Sequence, residues 1–260
     1  MKRLLCLLMA LVSLMALAGC GGEKASNSAG EKVLKVATDP TFPPFELYLD
    51  KERQFTGFDI DLMNDLAKRM GYDKVEYIRV PFKEMLPGLN ENKYDAVIRS
   101  QSITPERTAK YGVSDSYAKA GFAITAPADF VPTGAPRPSD FNGKKIAIEA
   151  RSSAMRIAQL YPQAQIVEYV DNEAVLKAVK AKEVDFGICG NLTANYLISH
   201  STDPGIKIIA QSEKQDDLGI YTKKDNTELL KKINTALADY KRSGEYQKLL
   251  EFYFGNIEKH

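Results

Sequence analysis

Histidine and cysteine are scarce in this chain, and neither sign of charge prevails. The only histidines are His200 and His260. His260 is the last residue, and His200 falls at the end of an expected helix, where it suits a solvated cap. Two imidazoles do not support a zinc site, and no metal or other cofactor is implied. The three cysteines are Cys6, Cys20 and Cys189. The first two lie in an N-terminal leader, so Cys189 is alone in the folded part and no intramolecular disulfide can form there. It sits in an apolar strand, where a lone thiol packs as a small hydrophobe. Lysine plus arginine (35) and aspartate plus glutamate (34) nearly cancel, leaving a net charge of +1. The charges interleave without a basic stripe, which argues against a nucleic-acid partner.

The leader is the informative apolar stretch. Lys2 and Arg3 precede an apolar run over 4–18, and small residues follow at Ala18-Gly19. This is the pattern of a secretory signal, and the run is too short for a comfortable membrane span. Leu17-Ala18-Gly19-Cys20 resembles the bacterial lipobox, which implies lipidation of Cys20 and an extracytoplasmic chain anchored to the membrane. Residues 21–31 are mostly Gly, Ser, Ala, Asn and Lys, a composition that cannot bury a core and reads as a flexible tether. No transmembrane or signalling segment is expected after 254, which weighs against a receptor's sensor domain.

About 240 residues remain after residue 20, enough for one large or two small domains. Strands and helices alternate through them. A strand is expected over 33–37. Phe58, Leu62, Leu66 and Met70 recur every four residues as one apolar helix face, which Gly71 ends. Strands at 75–80 and 96–99 flank a helix at 84–89, and another strand covers 121–126. Pro127, Pro132, Pro136 and Pro138 mark loops. A second series places strands at 145–148, 165–169, 185–189 and 207–210, with helices at 154–161, 173–182 and 192–199. Residues 218–222 read as a strand returning to the first unit, and helices at 227–240 and 245–254 close the chain. Two βαβ series joined by two extended crossings imply an α/β fold of two lobes around a cleft. Residues 32–124 and 218–260 form lobe 1, and 125–217 form lobe 2. Ligands in such sheets bind at the carboxyl ends of strands, beside helix N-termini.

One such strand end carries a carboxylate clamp. After the strand at 96–99 come Ser100 and Ser102, then Thr104-Pro105, an N-cap followed by a residue that suits the first helical position. Free N–H groups there meet the positive end of the helix dipole. Arg107, in the first turn, adds a planar fork that matches a carboxylate with two parallel hydrogen bonds.

Four segments together carry a resemblance: Val36-Ala-Thr-Asp-Pro-Thr-Phe-Pro-Pro-Phe45, Phe55-Thr-Gly-Phe-Asp-Ile-Asp-Leu62, Ser102-Ile-Thr-Pro-Glu-Arg107 with Ser114-Asp-Ser-Tyr117, and 219–225. The chain resembles the polar amino-acid solute-binding proteins of bacterial ABC importers, extracellular solute-binding protein family 3, over roughly 32–254. The resemblance implies a Venus-flytrap (periplasmic-binding-protein) fold with a two-strand hinge, a monomer that closes on one small molecule and is then read by a membrane permease. It implies that Arg107 holds the ligand's α-carboxylate, that Ser102 assists it, and that Ser100 offers its carbonyl to the α-amino group. It places Ser152 and Ser153 of lobe 2 on the same carboxylate, Phe42 and Phe82 as pocket walls, and Asp39 where a basic side chain could be met.

Three departures from the family pattern stand out. The strand at 185–189 usually ends in an aspartate that pairs with the ligand's ammonium, and here Gly190 occupies that place. Either Glu149, Asn191 or Asp39 supplies the missing charge, with Asn191 doing so if the register is one residue off, or the ligand has no α-ammonium. Arg99 stands where a small residue often faces the ligand, and Arg151 where a glycine is common and where it is expected at the solvated cleft rim. Facing the cleft, Arg99 would hold a second carboxylate of the ligand, favouring dicarboxylates or acidic amino acids over lysine and arginine, with Glu149 balancing the two arginines. Gly190→Asp would then restore the counter-charge for an α-amino group. The function implied is capture of a small carboxylate-bearing ligand, an amino acid or related organic acid, by hinge closure, with no catalytic residue. The alternative is an enzyme resembling the cyclohexadienyl dehydratases on the same fold, with Glu149 as its first candidate acid.

Overall fold

The computed structural model describes residues 30–49, 54–132, 134–202 and 205–255. The leader, Cys20 and nearly all of the tether lie outside them. The first lobe is built on β1 (Val33–Thr38), β4 (Lys74–Arg79), β5 (Ala96–Val97), β6 (Gly112–Val113) and β14 (Tyr221–Thr222). Their order is β4-β1-β5-β14-β6, parallel across β4, β1 and β5, with β14 antiparallel to both its neighbours. The second lobe holds β8 (Phe122–Pro127), β9 (Lys145–Glu149), β10 (Gln165–Tyr169), β11 (Phe186–Gly190) and β12 (Ile206–Gln211), in the order β10-β9-β11-β8-β12. Between the lobes run β7 (Ala118–Ala120) and β13 (Asp216–Leu218), paired antiparallel as the two-strand hinge. A small hairpin of β2 (Leu47–Tyr48) and β3 (Phe55–Thr56) extends the first lobe.

Local chemistry explains the elements that set the site. Helix α1 (Phe58–Arg69) buries Phe58, Leu62 and Leu66 on the expected four-residue face, with Asp59 and Asp61 in its first turn and Lys68 and Arg69 in its last. Each large apolar side chain so buried contributes about 1.5–3 kcal/mol. Gly57 before it has φ 125°, and a Cβ there would lie 2.2 Å from the carbonyl oxygen of Phe45. Helix α2 (Phe82–Asn90) carries Pro87 in its interior. The missing N–H of Pro87 leaves the Lys83 carbonyl without its helical donor. Helix α3 (Pro105–Lys110) begins as expected: the Thr104 side chain accepts from the Arg107 N–H, and Pro105 takes the first position.

Helices α4 (Ala154–Ala158), α5 (Asn172–Lys180) and α6 (Asn191–Ser199) serve the second sheet. Helices α7 (Thr227–Arg242) and α8 (Glu245–Phe254) close the first lobe, α7 burying Leu229, Ile233, Ala236, Leu237 and Tyr240. Strand β5 and helix α4 are among the elements that end sooner than the sequence suggests. Strand β5 stops at Val97 because Ser100 takes a positive φ of 46°. Its backbone turns to donate to Asp59 Oδ2 at 2.8 Å. Helix α4 ends at Ala158 and tightens into 3-residue turns from Leu160 to Ile157 and Tyr161 to Ala158, ahead of Pro162.

Candidate functional site

The carboxyl ends of β1, β5, β9 and β11 meet between the lobes. They enclose a small inner cavity of about 40 Å³ lined by Phe42, Phe82, Arg99, Ser100, Ser102, Arg107, Glu149, Ser152, Ser153 and Gly190. Phe122, Ala154, Asn172 and Cys189 complete its wall. Of the residues singled out in the sequence for ligand binding, Asp39 and Asn191 stand apart from it. Asp39 accepts from Arg79 at 3.2 Å and from Thr41 at 3.1 Å. Asn191 secures the second lobe: its side-chain oxygen accepts from the Gly121 and Leu192 N–H groups at 3.1 and 2.9 Å.

Arg99 faces the cleft, and its guanidinium is already engaged. It donates to both Glu149 carboxylate oxygens, at 2.9 and 2.7 Å, and to Thr41 Oγ1 at 3.3 Å. Its Cζ lies 4.5 Å from the Phe42 ring centroid and 4.7 Å from that of Phe82, so the cation rests against two aromatic faces. Arg99 and Glu149 are each 2% exposed. Asn172, whose side chain donates to Glu149 at 2.9 Å, was not foreseen. Its position at the start of a helix after the end of β10 was the signal available. Burial pushes the Glu149 pKa up and Arg99 opposes the shift. Three donors and no acceptor bond the Glu149 oxygens, so we read it as the carboxylate. For Arg99, burial is the largest single influence and works against the charge, but Glu149, Glu46 and Asp39 together outweigh it, leaving the pKa above the ordinary value. The fork that the sequence suggested would hold a second ligand carboxylate thus holds one from the chain's own second lobe.

The rest of the site closes around this pair. Arg107 donates to the Ser102 carbonyl at 2.9 Å and to the Arg151 carbonyl at 3.4 Å, and lies 5.8 Å from the Phe82 centroid. Arg151 holds a positive φ of 60°, the conformation for which glycine is the easy residue. Its guanidinium donates across the cleft, at 3.4 Å, to the Lys83 carbonyl that Pro87 leaves free. Arg151 is exposed, as expected at the rim, yet straps the lobes together. Gly190 abuts the other lobe: a Cβ there would lie 2.6 Å from Phe42 Cζ. An aspartate at 190 would displace that ring, so Gly190→Asp cannot simply restore a counter-charge. Cys189 is buried behind the cavity, its thiol pushed up to about 12 by burial and then by the Glu149 charge. His200 caps α6, stacked on Tyr196.

Outside the inner cavity opens a larger cleft of about 760 Å³, sharing Phe82, Arg107, Ser152 and Ser153 with it and adding the cations Lys83, Lys110, Arg151 and Arg156 and the carboxylates Glu106 and Glu168. Lys110 pairs with Glu106, and Arg156 pairs with Asp216. Lys83, Arg107 and Arg151 have no carboxylate partner among the described residues. No cluster of three or more His, Cys, Asp or Glu among those residues could hold a metal ion.

Comparison with known proteins gives this geometry a context. The model of the bacterial extracellular solute-binding proteins, family 3, matches residues 34–256. The chain is 31% identical over 232 residues to ABC transporter arginine-binding protein 1 of Escherichia coli (strain K12), covering 87% of this chain and 92% of that protein. An ancestral arginine-binding protein bound to arginine superposes with a TM-score of 0.80 at 31% identity, over 86% of this chain and 98% of that one. An ancestral amino acid-binding protein, a precursor of cyclohexadienyl dehydratase, gives 0.78 at 30% identity, over 86% of this chain and 96% of that one.

Proposed function

The chain belongs to the bacterial extracellular solute-binding proteins of family 3, and from that membership we propose that it captures an amino acid or related organic acid for an ABC importer. The observation that carries this reading is the placement of Arg107. Its guanidinium stands at a helix N-terminus of one lobe and reaches the Ser152–Ser153 segment of the other. A carboxylate there would meet a bidentate fork from lobe 1 and hydroxyls from lobe 2 at once. Contacts to both lobes exist only when the cleft is closed, so ligand shifts the population toward closure about the β7–β13 ribbon. The closed form is then the species for the permease to read. In this reading the chain acts as a monomer, is exported by its leader and is tethered through lipid on Cys20.

The protein binds without turning its ligand over. A dehydratase-like reaction needs an acid free to protonate the leaving group, and the Glu149 oxygens are taken by Arg99 and Asn172. A thermal-shift panel of amino acids and organic acids on the mature chain tests the reading. A true ligand at a hundred times its Kd stabilises by about 2.7 kcal/mol, a rise of roughly 5–11 °C for a chain this size. Arg107→Ala is expected to lose roughly 3–5 kcal/mol of binding, the scale of a broken buried pair, while keeping its own melting transition. Unchanged affinity in the folded variant removes Arg107 from the site, and aromatic product formed from prephenate or arogenate overturns the binding reading.

A further inference from the structure

Resting on the reading of this cleft as an amino-acid site, we propose that Arg99 is a built-in occupant of a guanidinium-recognising pocket and so excludes ligands with a basic side chain. The groups around Arg99 are those that would select a free guanidinium: two aromatic faces at 4.5 and 4.7 Å, a carboxylate paired at both oxygens, and a hydroxyl from Thr41. Flat rings favour a planar, weakly hydrated cation, and a bidentate carboxylate matches its fork. Glu149 is itself oriented by Asn172, so the acceptor is fixed before any cation arrives. The chain fills this pocket from within.

The space that remains decides the consequence. The inner cavity, at about 40 Å³, has room for no more than a few waters, at roughly 10–15 Å³ of such volume each. No lysine or arginine side chain enters it while Arg99 is in place. A ligand held by Arg107 must therefore extend into the larger cleft of about 760 Å³. There Lys83, Arg107 and Arg151, without carboxylate partners among the described residues, outnumber the cleft's carboxylates, Glu168 and the Lys110-paired Glu106, and so repel a second cation. Exclusion by volume and exclusion by charge point to one ligand class: amino or organic acids whose side chain is neutral or acidic.

Titration calorimetry of the mature chain and of Arg99→Ala, with arginine and agmatine, tests this. Agmatine carries a guanidinium and no carboxylate, so it reads the inner pocket without the Arg107 clamp. Wild type is expected to bind neither. Arg99→Ala is expected to bind both about a hundredfold or more tighter than wild type, the scale of returning a partner to a buried charge. Arg99→Met, which refills the space with apolar atoms, is expected to gain nothing. If Arg99→Ala does not fold alone, refolding with and without agmatine is the readout, and recovery only with agmatine supports the proposal. Tight arginine binding by wild type, an equal gain in Arg99→Met, a folded Arg99→Ala blind to agmatine, or refolding indifferent to agmatine each overturns it. Agmatine binding by Arg99→Ala, with wild type answering to no amino or organic acid, leaves the pocket standing and defeats the transport reading. The reverse pattern defeats only the pocket.

Discussion

Replacing Glu149 by glutamine nearly preserves volume and removes the charge that Arg99 faces. The change strikes a guanidinium that is 2% exposed and bonded to both carboxylate oxygens at 2.7 and 2.9 Å. Removing one partner of a buried pair costs roughly 3–5 kcal/mol when the other stays dry. Arg99 need not stay dry, because the pair joins the two lobes and opening about the hinge ribbon lets water reach it. The free energy of opening therefore sets a ceiling on the loss. Small-angle scattering of the ligand-free variant is expected to report an expanded molecule relative to wild type. Its melting temperature is expected to fall by less than the roughly 6–20 °C that the full cost implies at about 2–4 °C per kcal/mol. A full drop without expansion refutes relief by opening. An unchanged radius with an unchanged melting temperature shows that the pair contributes nothing.

Two further predictions concern the same cleft and the core beneath it. Gly190→Ala pushes against the tip of the Phe42 ring, whose face lies against Arg99. Overpacking of this kind costs about 1–3 kcal/mol, so calorimetry with the cognate ligand should show a roughly five- to hundredfold loss, and wild-type affinity would sink the contact. Glu46 is buried, and burial followed by the Asp59 charge raises its pKa well above the ordinary 4.5. The folded chain then keeps a proton that the unfolded chain releases, so stability falls as pH rises from about 4.5 through the folded pKa. Glu46→Gln keeps a donor and loses that titration. Denaturant unfolding should find it stabilised relative to wild type at pH 8 and little changed at pH 4, and equal pH slopes in the two proteins would remove Glu46 from the effect.

The parts of the site legible in the sequence are those whose chemistry is local. Thr104, Pro105 and Arg107 lie within one helical turn, and the cap forms as their order dictates. The helix faces of α1 and α7 follow from their spacing in the same way. Glu149 was legible as a charge balancing Arg99 and Arg107, but its direct two-oxygen pairing with Arg99 was not, because the two lie 50 residues apart and on different lobes. A strand-end arginine could be placed beside the cleft, but what it grips is decided by tertiary packing. Gly190 was recognised as a departure, yet its cause is a ring contributed by a segment near the other end of the chain. The buried carboxyls Glu46 and Asp59 gave no signal beyond acidic residues beside apolar ones, since neither periodicity nor spacing reports desolvation.

Tyr221–Thr222 inserts between β5 and β6, so the first sheet is stitched together from distant parts of the chain. Every strand of the second sheet lies within 122–211. A growing polypeptide therefore carries all of lobe 2 before the strand that completes lobe 1 has been made. Until it arrives, β5 keeps an unpaired edge and β6 has no partner strand in its sheet, both open to wrong partners. The inner module can assemble early from its own contiguous segment, whereas the enclosing one waits on its longest-range pairing, which is also the slowest kind of closure. The topology that gives this protein its hinge also fixes the order in which its halves can be born.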